Sequence, residues 1–118
     1  MSVANVLLTI LCVACISSGQ VLFKIAARSA SASGDFLSAT RELALNPFLI
    51  GGLVIYLGAT ILWIWLLRTI PLSVAYPFMA LAFLFVPILA AAFLGEPLSF
   101  NSALGALLIV AGICLIAT

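Results

Sequence analysis

The sequence predicts an all-α membrane protein with four transmembrane helices in a single domain, residues 1–118. Of its 118 residues, 67% are hydrophobic and 6% are charged. A soluble domain carries roughly 25% charged residues, so a water-soluble fold of this composition would have too little polar surface. The charges divide the chain into four uncharged runs: Met1 to Phe23, Leu43 to Leu67, Thr69 to Gly95 and Pro97 to Thr118. Each run can cross a bilayer, because about 20 apolar residues span the ~30 Å hydrocarbon core.

This composition also excludes several classes of function. Four spans leave almost no chain for an attached soluble enzyme domain. The net charge of +1 is not concentrated in a basic block, which argues against nucleic acid as a partner. The chain has no histidine, and no two carboxylates have a spacing that suggests acid–base chemistry. We therefore expect no enzymatic activity, no catalytic residues and no cofactor.

Three cysteines lie within the uncharged runs: Cys12, Cys15 and Cys114. The first two have the C-x-x-C spacing of some metal and redox sites. The chain offers no histidine and no second cysteine pair to complete such a site. We expect buried thiols that behave as small hydrophobic side chains, and no metal site.

The first helix is predicted over residues 3–27. Lys24 and Arg28 lie near its end, where long basic side chains can extend to the lipid headgroups. The small and polar stretch Ser29 to Gly34 is expected to form a turn.

A short segment follows this turn. Asp35 can cap a brief helix there, and Phe36 and Leu43 would share one of its faces. An interfacial helix and an ordinary connector both fit this pattern.

The second helix is predicted over residues 48–67. Pro47 fits the first position of a helix, where a missing N–H costs little. Trp63 and Trp65 near the other end, with Arg68 just beyond it, are the side chains expected at a membrane interface.

The third helix is predicted over residues 74–94. The connection from Arg68 to Ser73 is so short that the second and third helices must form a tight hairpin. Pro77 and Pro87 fall inside the third helix, where a proline removes a backbone hydrogen bond and favours a kink.

The fourth helix is predicted over residues 100–117, after a turn at Gly95 to Ser99. Gly105 and Gly112 are seven residues apart, which places two bare backbone patches on one stripe. Small residues let helices approach closely, so this stripe is a candidate dimer interface. Packing of the same stripe within the chain is the alternative.

One polar stripe is a candidate binding site. Gln20, Lys24 and Arg28 recur every four residues and so share one face of the first helix. An amide and two cations at membrane depth suit an anionic headgroup such as a phosphate. Alternatively, the two cations only anchor the helix end and Gln20 bonds a neighbouring helix.

Two further polar side chains are candidates for substrate contact. Glu96 precedes Pro97 and the fourth helix, where a carboxylate favours the positive end of the helix dipole; it could also contact substrate. Tyr76 precedes Pro77 and places a hydroxyl near the kink, or else it is an interface anchor.

The charge distribution favours one membrane orientation. Lys24, Arg28 and Arg41 lie in or next to the first loop, and Arg68 lies on the opposite side. The excess of positive charge would place the first loop in the cytoplasm and both termini outside. An antiparallel dimer of dual topology would show an equally small bias.

The chain resembles four-helix members of the drug/metabolite transporter superfamily, on motifs spread over nearly its whole length. They are Ser18-Gly19-Gln20 with Lys24 and Ala26, Ile70 to Pro77, Leu94 to Ser99, and the Gly105 to Gly112 spacing. Within the superfamily it most resembles the EamA-like ArnE/ArnF flippase subunits. Small multidrug resistance proteins share the glycine spacing of the last helix but carry a glutamate in the middle of the first helix, which is absent from this chain.

The resemblance implies a transporter subunit of the bacterial inner membrane. It would flip undecaprenyl-phosphate-linked 4-amino-4-deoxy-arabinose for lipid A modification, as a homodimer or with a paralogous four-helix subunit. Lys24 and Arg28 would pair with the phosphate, and Gln20 and Tyr76 would bond the sugar. The prenyl tail would stay in lipid through a gap between helices. The alternatives are an exporter of amphipathic cations or small metabolites, and a non-transporting assembly subunit.

Overall fold

The protein is helical throughout the residues that the computed structural model describes, 2–29 and 35–117. The predicted turn at Ser29 to Gly34 lies outside them except for Ser29, which belongs to the first helix. The helices are α1 (Val3–Ser29), α2 (Phe36–Ala44), α3 (Pro47–Leu67), α4 (Leu72–Phe78), α5 (Ala82–Leu94) and α6 (Phe100–Ala117), and a 3-10 turn at Met79–Leu81 joins α4 to α5.

Four helical segments of the described chain are long and apolar enough to cross a membrane. They are Val3–Ser29, Pro47–Leu67, Leu72–Leu94 and Phe100–Ala117, so the third span combines α4, the 3-10 turn and α5. The predicted all-α class with four spans is confirmed.

The start of α3 is fixed by local capping. The Asn46 side chain accepts a hydrogen bond from the Phe48 N–H at 2.8 Å, and Pro47 occupies the first turn, where its missing N–H is not needed. The helix therefore begins at Pro47, one residue before the predicted start. Asn46 also donates through Nδ2 to Ser29 Oγ at 2.6 Å, which ties the end of α1 to the start of α3.

The segment after Asp35 is a helix, α2, and not an irregular connector. Asp35 Oδ1 accepts from the Ser38 N–H at 2.9 Å, which caps the first turn. Phe36 and Leu37 are 82% and 76% exposed. The apolar side of α2 is thus largely uncovered by the rest of the chain.

Helix α1 is the centre of the bundle. It packs most extensively on α3 and then on α5. One apolar cluster lies between α1 and the α3–α4 hairpin, around Cys12, Ile16, Ala59, Leu66 and Ile70. A second joins α1 to the 3-10 region and α6, around Val13, Phe78, Leu81 and Ile113.

Glycines allow α1 and α3 to approach closely. A Cβ added at Gly19 would lie 3.3 Å from the Gly52 carbonyl oxygen, and one added at Gly52 would lie 3.2 Å from the Gly19 carbonyl oxygen. The rings of Phe23 and Tyr56 pack beside this crossing, with centroids 6.0 Å apart. Larger residues at either glycine would push the two backbones apart.

The third span is interrupted once. A 3-10 turn begins at Met79, two residues after Pro77, whereas α5 continues as an α-helix through Pro87. Helix α6 packs on α4 and the 3-10 turn more than on α5. A gap therefore opens between α5 and α6 toward the loop that joins them.

Candidate functional site

The polar stripe of α1 is exposed along its length. Gln20, Lys24 and Arg28 are all exposed. At 1.5 Å per residue, Lys24 lies about 6 Å and Gln20 about 12 Å deeper along the helix than Arg28. Gln20 is thus not packed into a neighbouring helix of the described chain.

The stripe begins where the covered part of the same face ends. Thr9, Val13 and Ser17, in the other half of α1, are each 0% exposed, and Val13 packs in the cluster formed by the 3-10 region and α6. The Thr9 and Ser17 hydroxyls donate to backbone carbonyls of α1 itself. Between Ser17 and Gln20 this face passes from buried to exposed side chains.

Arg28 connects α1 to the end of α5. Its Nη1 donates to the Leu94 carbonyl oxygen at 3.4 Å, one of the terminal carbonyls that carry the negative end of the helix dipole. A guanidinium has five N–H donors, so Arg28 can hold this carbonyl and an oxyanion together.

Glu96 lies at the same end of the bundle as Arg28. Gly95 ends α5 in the left-handed conformation, with φ of 70°, and Glu96 follows it, partly buried. The cap of α6 is Ser99, whose hydroxyl accepts from the Ser102 N–H at 3.0 Å. Glu96 therefore lies outside the first turn of α6, three residues before its cap.

Tyr76 is not brought to the polar stripe. It is 64% exposed and lies in α4, 18 residues before Leu94, or about 27 Å along the third span. Because Leu94 contacts Arg28, Tyr76 lies toward the opposite end of the bundle.

The two glycines of α6 have no close neighbour in the described chain. A Cβ added at Gly105 or Gly112 would meet no atom within 4 Å. The packed face of α6 is formed instead by Ala106 and Ile113, each one position away.

Two apolar grooves were not predicted from the sequence. One, of about 360 Å³, lies between α5 and α6 and includes Phe83, Pro87, Ile88 and Ser102 in its lining. The other, of about 260 Å³, lies between α1 and α5. Residue periodicity shows which sides of a helix are apolar, but not where two apolar helices separate.

Only one of the three cysteines, Cys12, is buried as expected. Cys12 is buried and its Sγ donates to the Ala59 carbonyl oxygen at 3.1 Å, Cys15 is partly buried, and Cys114 is exposed. Among residues 2–29 and 35–117, no three His, Cys, Asp or Glu side chains cluster as metal ligands would.

Comparison with known proteins gives one family. The model of the EamA-like transporter family matches residues 4–118. A protein of Sodalis glossinidius named "Probable 4-amino-4-deoxy-L-arabinose-phosphoundecaprenol flippase subunit ArnE" is 36% identical over 96 residues, which cover 81% of each chain.

Two other relatives match over shorter regions. An ArnE subunit of the same printed name from Erwinia tasmaniensis is 45% identical over 67 residues, 56% of this chain and 62% of that protein. A probable flippase subunit ArnF for the same compound, from Proteus mirabilis, is 40% identical over 67 residues, 55% of this chain and 50% of that protein. No solved structure matches the chain.

Proposed function

Because the chain belongs to the EamA-like transporter family, we propose that it is one subunit of a flippase for 4-amino-4-deoxy-L-arabinose-phosphoundecaprenol. Its four spans and its family make it a multi-pass protein of the bacterial inner membrane. It carries the aminosugar lipid across that membrane for the modification of lipid A. The relatives named above support this substrate.

The observation that carries the proposal is the exposed polar stripe of α1. An unpaired phosphate cannot cross hydrocarbon, because moving a charge into a medium of low dielectric costs tens of kcal/mol by Born solvation. A path lined by cations replaces lost water with charge-assisted hydrogen bonds. Arg28 at the surface and Lys24 one turn deeper provide such a path, open on the side that the chain itself does not cover.

The remaining polar groups fit the sugar. The Gln20 amide, deeper than both cations, can both donate to and accept from sugar hydroxyls. Glu96, at the same end of the bundle as Arg28, provides a carboxylate for the amino group of the sugar. Tyr76, which we expected to bond the same sugar, would contact it only after the headgroup has crossed most of the membrane.

A second four-helix subunit completes the path. Lys24 and Gln20 are exposed at membrane depth, where lipid would be a costly neighbour for them. We propose that a paralogous subunit of the ArnF type covers this face, with the Gly105 and Gly112 stripe as the helix contact. A second copy of this chain is the alternative partner.

The test uses the chain together with its paralogous partner, in cells that lack their own flippase for this lipid. Lys24→Gln should lower the appearance of aminosugar lipid on the outer face at least tenfold, equal to a loss of about 1.4 kcal/mol of transition-state stabilisation. Arg41→Gln removes the same charge from α2, outside the spans, and should leave transport intact.

Two results would contradict the proposal. One is a wild-type pair that moves no aminosugar lipid, and the other is a Lys24→Gln variant that transports as fast as the wild type. Resistance to quaternary ammonium compounds on overexpression would instead favour an exporter of amphipathic cations. That activity is not expected, since α1 contains no acidic residue to bind a cation within the membrane.

A further inference from the structure

The smaller groove lies at the contact between α1 and α5. Its lining is Ser18, Val21, Leu22, Ile25, Leu89 and Phe93. The one hydroxyl in this set, on Ser18, donates to the Ala14 carbonyl oxygen at 3.0 Å, so its polar group is already satisfied. The groove therefore presents an apolar surface.

One end of this groove meets Arg28. Ile25 lies one turn before Arg28 on α1, and Phe93 immediately precedes Leu94 on α5. The Arg28 to Leu94 hydrogen bond joins the two helices just beyond these residues. The groove is thus apolar, and one of its ends lies next to the exposed guanidinium of Arg28 at the end of the span.

The polar stripe and the groove diverge from this point. Residues four apart on an α-helix are rotated by about 40°, so the stripe turns gradually around α1 from Gln20 through Lys24 to Arg28. Only Arg28 reaches the side that faces α5. A ligand held at Arg28 could place a polar part along the stripe and an apolar part in the groove.

We propose that the α1–α5 groove binds the isoprenoid chain of the glycolipid next to its phosphate, with the phosphate on Arg28. This inference rests on the proposed function and adds to it the place where the tail lies. Charge complementarity identifies the occupant, because an apolar groove that starts at a guanidinium suits a chain that starts at a phosphate. Its volume of about 260 Å³ is below the ~300–1,000 Å³ of sites that enclose a whole drug-sized ligand, so it takes only the first part of one chain.

The larger groove between α5 and α6 fits this occupant less well. It lies on the opposite side of α5, where Ile88 rather than Leu89 lines it. The linings of both grooves lack charged side chains, but Arg28 joins α1 to α5 at the end of the smaller groove, on the other side of α5 from the larger one. The larger groove provides an internal control with the same helix and the same apolar character.

The experiment measures binding of farnesyl phosphate to the chain and its partner in detergent, by native mass spectrometry. Leu89→Trp fills the α1–α5 groove and should weaken binding about tenfold, or ~1.4 kcal/mol. Ile88→Trp fills the other groove and should change binding by less than about twofold.

A second measurement does not depend on how the variants fold. Farnesyl phosphate with a diazirine on the isoprene unit nearest the phosphate, bound to the wild-type pair in phosphatidylglycerol nanodiscs, should label α1 between Ser18 and Ile25, or Leu89 and Phe93. Excess inorganic phosphate should not displace the farnesyl phosphate probe, because the isoprenoid tail contributes to its binding.

Each outcome has one meaning. The tail site is overturned if Leu89→Trp leaves binding unchanged, or if labelling is confined to the α5–α6 groove. Neither result contradicts the proposed flippase function. Labelling that occurs in phosphatidylcholine nanodiscs but is lost in phosphatidylglycerol nanodiscs shows a site for resident anionic phospholipid and also overturns the tail site. A wild-type pair that binds no farnesyl phosphate contradicts the proposed flippase function itself.

Discussion

Gly19 and Gly52 set the distance between α1 and α3. Each glycine faces the carbonyl oxygen of the other, at 3.2 to 3.3 Å from an added Cβ, so neither position has room for a methyl group without movement of a backbone. This matters for the site, because the polar stripe begins at the next residue, Gln20. The distance between the helices beside the stripe is thus set by two residues that have no side chain.

Gly52→Ala should destabilise the protein by about 1–3 kcal/mol, the usual cost of overpacking a tight contact. The new Cβ would lie 2.8 Å from the Phe23 ring as well as 3.2 Å from the Gly19 carbonyl oxygen. Equilibrium unfolding of the purified protein in mixed detergent measures the effect.

Gly58→Ala in the same helix is the matched control. An added Cβ at Gly58 meets no atom within 4 Å, and alanine has up to about 1 kcal/mol more helix propensity than glycine. Equal stability of the two variants would show that the crossing is looser than the structure describes.

At the scale of elements, α2 depends on its cap more than on packing. It has no buried residue, and Asp35 Oδ1 accepts a hydrogen bond from the Ser38 backbone N–H at 2.9 Å. Hydrogen bonds from the Ser38 backbone and hydroxyl to its carboxylate hold the pKa of Asp35 below its ordinary value. Its exposed Phe36 and Leu37 are suited to the membrane interface beside the end of α1 that carries Arg28.

The cap should therefore depend on pH in one direction. Because the pKa of Asp35 is lower in the folded chain, its stabilising contribution is present above about pH 4, the ordinary value, and is lost as the pH falls through the lowered pKa. We expect the Ser38 amide to lose its protection from hydrogen exchange over that range, measured by NMR in nanodiscs.

Asp35→Asn separates the cap from its charge. Asparagine caps helices about as well as aspartate but does not titrate, so the Ser38 amide of this variant should stay protected at low pH. This role of Asp35 would be contradicted if exchange of the wild-type Ser38 amide did not change with pH, or if the amide of the Asn variant changed as in the wild type.

At the scale of the whole molecule, one face of α1 is covered by the bundle along its first half and uncovered along its second half. On one face, helix α1 is covered at Thr9, Val13 and Ser17 and exposed at Gln20, Lys24 and Arg28. Helix α6 packs beside the 3-10 turn, and a Cβ added at Gly105 or Gly112 would meet no atom of the described chain within 4 Å. The second subunit that we propose would cover the polar stripe and contact α6.

Gly112→Leu should shift the purified protein from dimer toward monomer. Within one chain the leucine meets no atom close to its Cβ, so a change in assembly would report a contact with the partner. Light scattering after size-exclusion chromatography measures the mass of the complex. Ala111→Leu, at the neighbouring exposed position, should leave the dimer intact; dimers of equal stability in both variants would place the contact elsewhere.

Much of this architecture could be predicted from composition and local chemistry. Uncharged runs identify spans, because charge in hydrocarbon is costly, and Asp35 and Pro47 show where α2 and α3 begin. The Gln20, Lys24 and Arg28 stripe follows from helical spacing alone. The Gly51-Gly52 pair in an apolar run was a signal of close helix packing that the prediction did not use.

The sequence by itself determined that the chain forms four spans, that three polar side chains share a face of α1, and that no acidic residue accompanies them there. These properties depend on hydropathy and on the 3.6-residue turn, which are local. Only the tertiary structure decided that α1 is central, that Tyr76 lies away from the stripe, and that a groove starts at Arg28. The helices are apolar nearly all round, so their periodicity does not select a packed face, and the contacts between distant segments make that selection.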